Sequence, residues 1–327
     1  MADAPEIRKV TLDAAGISMS ALLAEPACPP RAVVVAIHGG GMSAGYFDSR
    51  ARPGLSLLEL GVQLGYSVLA VDRPGYGAST PQLPEGQTVA QQAATLHAAL
   101  GDFAATHATG AGFFLVAHSN GGKLALAAAA ETVTGPAGVP LVGLDISGLG
   151  STLAVDACRL PGPDGHGDWR RHWGPLRFYP PDAFRLGRAL VSPVPGLEAS
   201  EGPLWPRLYP GIAALVTVPV RFTFAEQEQW WRFDEEAVAV LKAPLSGTKV
   251  TVDHQPGAGH NISLGWAART YHLRAMGFLE ECLLTRDTAP PRATPLTPPL
   301  PAGHGEGRRA PLDDAPHPRA RVRSTHR

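Results

Sequence analysis

In Leu115-Val116-Ala117-His118-Ser119-Asn120-Gly121-Gly122 an apolar run ends on a serine flanked by small residues, and good helix formers, Lys123 to Glu131, follow at once. A serine wedged between a strand and a helix sits on a sharp turn, where small neighbours relieve a crowded, strained backbone. Such a turn lifts the hydroxyl above the sheet edge and aims the free N–H groups of the next helix near it. These are the conditions for an exposed nucleophile. Alone, Ala117-His118-Ser119-Asn120-Gly121 fits equally well a serine N-cap on a helix that follows a buried strand. Its meaning rests on what accompanies it.

Three further features accompany it. His38-Gly39-Gly40-Gly41-Met42 follows the apolar run Ala32 to Ile37. Three bare glycines let a reacting oxygen approach backbone N–H groups closely, which is what an oxyanion hole requires. A phosphate-cradling loop would continue with Gly-Lys-Ser/Thr, and Met42-Ser43-Ala44 does not supply it. The second feature is His260, in Gly257-Ala258-Gly259-His260-Asn261, after the β-like run Lys249 to Asp253 and before a helical pattern from Ile262 to Leu284. A histidine in a loop beyond the last strand can overhang the serine and take its proton. The chain has 12 histidines, and His254, nearer the strand end, is the weaker rival. The third feature is an acid to orient the imidazole. After the strand-like run Pro219 to Phe224 two glutamates compete; Glu228 is favoured over Glu226 because it stands further past the strand end, within the loop. Asp145, closing the run Val139 to Leu144, reads better as a polar residue at a strand terminus.

The elements that must hold these residues alternate in type. Arg8 to Leu12 and Ile17 to Ala24 read as leading antiparallel strands, and Ala32 to Ile37 as a strand buried on both faces. Leu55 to Leu64 reads as a helix, Ser67 to Val71 as a strand, and Val89 to Thr106 as a helix through the spacing of Val89, Ala93, Leu96, Leu100 and Phe103. Strands alternating with helices imply parallel pairing with right-handed crossovers.

The chain resembles the α/β-hydrolase superfamily, in its lid-bearing serine esterase or thioesterase-like branch, over about Arg8 to Arg286. The order Ser119, Glu228, His260 is the order that fold imposes. Val71-Asp72-Arg73-Pro74-Gly75-Tyr76-Gly77-Ala78-Ser79 is similar to the Asp-x-x-Gly-x-Gly-x-Ser loop after the fourth strand in lid-bearing esterases, C–C bond hydrolases and haloperoxidase-like enzymes. That loop and the elbow separate the chain from the hormone-sensitive-lipase branch, which shares the His-Gly-Gly-Gly motif. Two departures stand out: Ala117 replaces the first glycine of Gly-x-Ser-x-Gly, and glutamate replaces the commoner aspartate. The resemblance implies an α/β fold with a mostly parallel eight-stranded sheet flanked by helices and an inserted lid. It implies an acyl-enzyme on Ser119, with His260 as base, Glu228 as orienting acid, and the N–H groups of Gly40, Asn120 and Gly41 as the oxyanion hole. Ester, thioester or lactone cleavage of a hydrophobic small molecule is the expected reaction. A lyase, cyclase or acyltransferase on the same scaffold, and a catalytically silent ligand-binding protein, are the rivals. No metal or organic cofactor is expected.

Composition sets the remaining bounds. The 327 residues are 44% hydrophobic, as in an ordinary globular protein, and the net charge of -1 makes neither nucleic acid nor an anionic membrane an obvious partner. A small-molecule substrate is the expected partner. No apolar run reaches the length of a membrane span, Met1 to Val10 has no apolar signal core, and three scattered cysteines give no disulfide framework, so a cytoplasmic protein is expected. The domains expected are a first core part over 1–147, an insertion over 148–213, a second core part over 214–286 and a Pro/Arg-rich disordered tail over 287–327. The tail holds nine prolines and seven arginines. The insertion is crowded with aromatics, and Pro181 to Leu190 within it could form a short helix. As a lid it would cover Ser119 with apolar surface; Met42, Trp173, Trp205 and Trp230 are the candidate pocket residues.

Overall fold

A computed structural model describes residues 5–134, 139–161 and 170–288. Its strands are β1 (Ile7–Ala14), β2 (Ile17–Ala24), β3 (Val33–Ile37), β4 (Ser67–Val71), β5 (Phe113–His118), β6 (Leu141–Ser147), β7 (Val220–Gln227) and β8 (Val250–Gly259). They make one sheet in the order β1-β2-β4-β3-β5-β6-β7-β8. β2 runs antiparallel to both neighbours, and every pairing from β4 to β8 is parallel. The parallel strands therefore end at one edge. That edge is where chemistry collects in an open α/β sheet.

Alternation along the strands splits the core in two. Val33, Val35 and Ile37, with Leu115 and Ala117, meet Leu96, Leu100 and Phe103 of α2 (Val89–Thr106) and Leu124 of α3 (Asn120–Thr134). Val34, Ala36 and Val116 face the other way. They meet Leu57 and Leu58 of α1 (Leu57–Gln63) and Ala275 and Leu279 of a long C-terminal helix, Ala268–Thr288. Polar residues fix the helix starts: Ser56 accepts from Glu59 N–H, and Thr88 with Gln91 forms a reciprocal capping box.

Between β6 and β7 the chain makes a helical excursion. It contains α4 (Arg170–Trp173), α5 (Pro181–Gly187), α6 (Gly196–Glu201) and α7 (Trp205–Ala213). α8 (Glu235–Lys242) then precedes β8, and the Ala268–Thr288 helix is α9. The structure corrects several expected boundaries. α3 begins at Asn120, not Lys123, because the turn at Ser119 leads straight into helix. The helical pattern from Ile262 to Leu284 divides into a 3-10 turn, Ile262–Leu264, and α9, because Gly265 takes an extended conformation between them. α9 runs through Thr288, past the expected boundary at 286. From 289 onward the expected tail lies outside the described residues. Among the described residues no helix is long and apolar enough to cross a membrane.

Asp145 has a structural partner set. Its side chain is fully buried on β6, pairs with Arg221 of β7 and accepts from the Tyr271 hydroxyl at 2.9 Å. Arg221 Nε also donates to Asp253 of β8 at 2.7 Å, so one guanidinium clamps three strands. Burial raises the Asp145 carboxyl above its usual range even against the pull of Arg221. Removing one partner of a buried pair strands the other charge without compensation. Asp145→Ala should therefore cost about 3–5 kcal/mol of stability. Urea unfolding measures it, and a loss too small to resolve would mean that the pair contributes no more than an apolar contact.

Candidate active site

Ser119 sits between β5 and α3 with φ +51, the left-handed region that a residue with a side chain rarely adopts. Holding it there costs on the order of 1–3 kcal/mol. Neighbouring backbone holds it: Ser119 N–H donates to Ser147 O at 2.8 Å, and Gly122 N–H donates to Ser119 O at 2.8 Å. Gly121 is required by close approach, since a Cβ there would lie 2.4 Å from the Ile37 carbonyl oxygen. The missing side chain lets the first turn of α3 press against the end of β3. Ser119 and Asn120 remain partly exposed, whereas His118 is buried.

His260 and Glu228 meet. His260 Nδ1 lies 2.8 Å from Glu228 Oε2, and both side chains are shielded from solvent. Trp230 N–H donates to the other carboxylate oxygen at 3.0 Å, which fixes the plane of the acid. A carboxylate on Nδ1 holds that nitrogen as the donor and leaves Nε2 as the acceptor. Glu226 is exposed and accepts from Gly257 N–H, while His254 is exposed and stacks on Phe233. Neither joins the cluster.

Ser119 stands at the same edge, next in the chain to His118, whose ring packs against His260. The His118 and His260 ring centroids are 4.7 Å apart, and a Cβ at Gly39 would lie 3.0 Å from His118 Cδ2 and 3.1 Å from Ser119 Cβ. Among the described residues no hydrogen bond joins Ser119 to His260. His118 stacks on Tyr46 and shares a 3.1 Å contact with Ser147 Oγ. Burial, with the imidazoles of His260 and His172 close by, holds its pKa well below the usual imidazole range, so it stays neutral.

The glycine loop lies opposite. His38 is locked: its Nδ1 donates to Gly39 O at 2.8 Å and its Nε2 accepts from Arg73 N–H at 3.0 Å. Burial and the Arg73 charge keep this ring neutral. Gly40 faces Asn120 across the gap, since a Cβ there would lie 2.8 Å from Asn120 Nδ2. Gly41 N–H points elsewhere. It donates to the Tyr76 hydroxyl at 3.2 Å, so the third expected oxyanion donor is already engaged.

The candidate pocket residues divide. Trp205 is fully buried, donates to Gly150 O at 2.9 Å and lies under Lys123, 5.7 Å from its ammonium; it packs in the core and also lines a cleft with Asn120, Lys123 and Glu198. Met42 packs in the second core cluster. The Trp230 ring meets that of His172, in the excursion, at a tilt with centroids 5.0 Å apart, and the His172 ring lies 5.7 Å from that of His260. Trp173 is half-buried between Tyr179 and Phe184.

Sequence reasoning missed a charged cluster beside the serine. Arg73 makes a two-pronged pair with Glu198 of α6, at 2.9 and 2.8 Å, and Lys123 of α3 faces the same cleft. Burial lowers the Lys123 ammonium to about 8. Arg73 stood in the Asp72-to-Ser79 motif without a role. A charged residue in a glycine-rich turn after a buried strand needs a partner, and that was the available signal.

Known proteins can be set against this geometry. The alpha/beta hydrolase family model matches residues 34–270, well over half of the chain. No curated protein matches the sequence. Among solved structures, MenH from S. aureus is 19% identical with a TM-score of 0.57, covering 80% of this chain and 98% of that one. A thermostable carboxyl esterase from Bacillus coagulans is 17% identical with a TM-score of 0.58, covering 85% and 98%. An M. tuberculosis esterase is 18% identical with a TM-score of 0.54, covering 86% and 93%. At such identities the likeness is one of fold. The family match over this sheet, elbow and loop order places the chain in the alpha/beta hydrolase family.

Proposed function

We propose that the protein is a serine hydrolase that cleaves an ester, thioester or lactone of a hydrophobic small molecule through an acyl-enzyme. One observation carries this reading: a buried imidazole–carboxylate pair, 2.8 Å apart, at the strand edge where a serine is held at φ +51. A catalytically silent binder would have no use for that combination of strain and buried charge.

Ser119 Oγ attacks the carbonyl carbon while His260 Nε2 takes its proton. The imidazolium that forms is stabilised by Glu228, whose Oε2 receives the Nδ1 proton's hydrogen bond throughout. The backbone N–H groups of Gly40 and Asn120 hold the developing oxyanion; each such donor is worth about 10²–10³ in rate. His260 then protonates the leaving group, and water, activated by the same nitrogen, releases the acid. The Ser119–His260 hydrogen bond, not formed in the free protein, is one that must form on substrate binding, as catalytic hydrogen bonds commonly tighten only in the complex. The excursion acts as a cover. Asn261 N–H donates to His172 O at 3.0 Å and Trp266 N–H to Phe178 O at 2.8 Å, and His260 is left 1% exposed. Shielding of this kind strengthens the electrostatics beneath it.

Ser119→Ala should lose at least about a thousandfold in kcat on p-nitrophenyl butyrate and all labelling by a fluorophosphonate probe. Equal rates for the two proteins would remove Ser119 from the mechanism. Labelling of the wild type without turnover of any carbonyl ester would instead favour acyl transfer or a lyase.

The two glutamates separate by kinetics. Glu228→Gln should leave the fold intact but present the wrong tautomer, lowering kcat by about 10⁴. Glu226→Gln, altering an exposed contact between β7 and β8, should stay within about twofold of wild type. Parallel kcat measurements decide, and the opposite ranking would reassign the acid.

A further inference from the structure

Glu198 has no motif around it. It belongs to a six-residue helix, α6, in the excursion between β6 and β7. Yet its side chain is only 6% exposed, and both carboxylate oxygens are filled by donors from the core. Oε1 accepts from Asn120 Nδ2 at 2.7 Å and from Arg73 Nη2 at 2.8 Å. Oε2 accepts from Arg73 Nη1 at 2.9 Å and from the Tyr76 hydroxyl at 3.1 Å.

These donors belong to the two walls of the proposed oxyanion hole. Asn120 contributes its own N–H to one wall, and Glu198 grips its side chain. The other wall is the glycine loop. Tyr76 passes the contact to it by accepting from Gly41 N–H, and Arg73 Nη2 also donates to Gly39 O at 3.2 Å. Gly40 lies between them: a Cβ there would meet Glu198 Oε1 at 3.2 Å. One carboxylate thus braces both sides of the place where negative charge would develop.

Its own charge would oppose that chemistry if left bare. Arg73 cancels it, with a side chain 1% exposed, and Lys123 adds a second cation to the same cleft. Burial alone would push the Glu198 carboxyl up, but the Arg73 charge and the hydrogen bonds from Arg73 and Asn120 outweigh it and hold the group below its ordinary range. With every acceptor site occupied, Glu198 is not a spare base. α6 itself is moored beside the site. Leu197 N–H donates to Glu85 O at 2.9 Å, and Glu201 Oε2 accepts from Val89 N–H at 2.6 Å.

We infer that Glu198 is a positioning residue: through Asn120, Tyr76 and Arg73 it aligns the N–H groups of Asn120 and Gly40, so the oxyanion hole is complete only while α6 is docked on the core. This rests on the acyl-enzyme reading of Ser119.

The test compares Glu198→Gln, Tyr76→Phe and Ser119→Ala with wild type on p-nitrophenyl butyrate. Inhibition by a trifluoromethyl ketone, which forms a tetrahedral oxyanion on the serine, gives a second readout. Glu198→Gln should lower kcat by about tenfold or more, since a misaligned donor forfeits part of its contribution. KM should stay within about twofold, and inhibition should weaken by the same factor as kcat. Tyr76→Phe deletes one oxygen and should lower kcat severalfold in the same pattern. If Glu198→Gln does not fold, as thermal unfolding would reveal, Tyr76→Phe decides alone. A raised KM with unchanged kcat would overturn the inference, since Glu198 would then only seat the excursion. Unchanged kinetics would overturn it too. Loss of activity in Ser119→Ala alongside either result leaves the acyl-enzyme reading standing, whereas retained activity in Ser119→Ala would bring down both.

Discussion

The left-handed turn at Ser119 is the constraint around which this edge of the sheet is built. A residue with φ +51 does not stay there unaided. β5 has to end in register with β6, so that Ser147 O can receive the Ser119 N–H. α3 has to start within one residue, so that Gly122 can close the turn on Ser119 O. And Gly121 has to lack a side chain, because the Ile37 and His38 carbonyls occupy the space that a Cβ would take. Sheet order, helix start and glycine position are thus one requirement seen three times. The order β4-β3-β5-β6 meets it by putting the glycine loop after β3 directly beside the elbow after β5.

Buried charge is the second organising force. Two ion pairs and one imidazole–carboxylate pair lie within or under this edge: Arg73 with Glu198, Asp145 with Arg221, and His260 with Glu228. Each crosses between elements far apart in sequence. Burial makes such pairs weak contributors to net stability but severe to break. Their effect is therefore to specify one arrangement. Arg221 registers β6, β7 and β8, and Arg73 registers the glycine loop against α6. Neutral histidines fill the remaining polar positions: His38 and His118 are pushed well down by burial, so they add hydrogen bonds without adding charge beside Ser119.

Legibility in the sequence followed the range of the interaction. Continuous apolar runs marked β3, β4 and β5, and apolar spacing marked α2 at its observed ends, because these elements are decided by neighbours along the chain. The Ser119 turn was readable for the same reason. The pairing of His260 with Glu228 was readable from order and from loop position after a strand, although the two stand 32 residues apart. Boundaries slipped where packing decided them, as at Gly265, which splits a helical pattern that periodicity alone would continue. Glu198 was invisible. It meets Asn120 across 78 residues and Arg73 across 125, and its short helix carries no periodic stripe. Nothing local distinguishes it from Glu201 or any other acid of the excursion. Gly41 failed differently: three glycines look alike as donors, and only the Tyr76 hydroxyl separates them.

Carboxylates at one edge can take different roles according to how fully they are satisfied. Glu198 receives four hydrogen bonds, two from a guanidinium, and Asp145 is held by Arg221 and the Tyr271 hydroxyl. Their charges are spent on permanent cations. Glu228 meets one backbone N–H and one imidazole nitrogen, and neither contact is with an arginine or a lysine. No permanent cation of the described residues is therefore among its hydrogen-bond partners. A transient imidazolium gains most from the acid whose charge is still unmatched, and in a site shielded from water that gain is larger than in solvent. In the acyl-enzyme mechanism proposed above, this difference matters. An adjacent fixed cation would lower the energy of the resting state as much as it would blunt the stabilisation of the charged intermediate, and the differential effect on which catalysis depends would shrink.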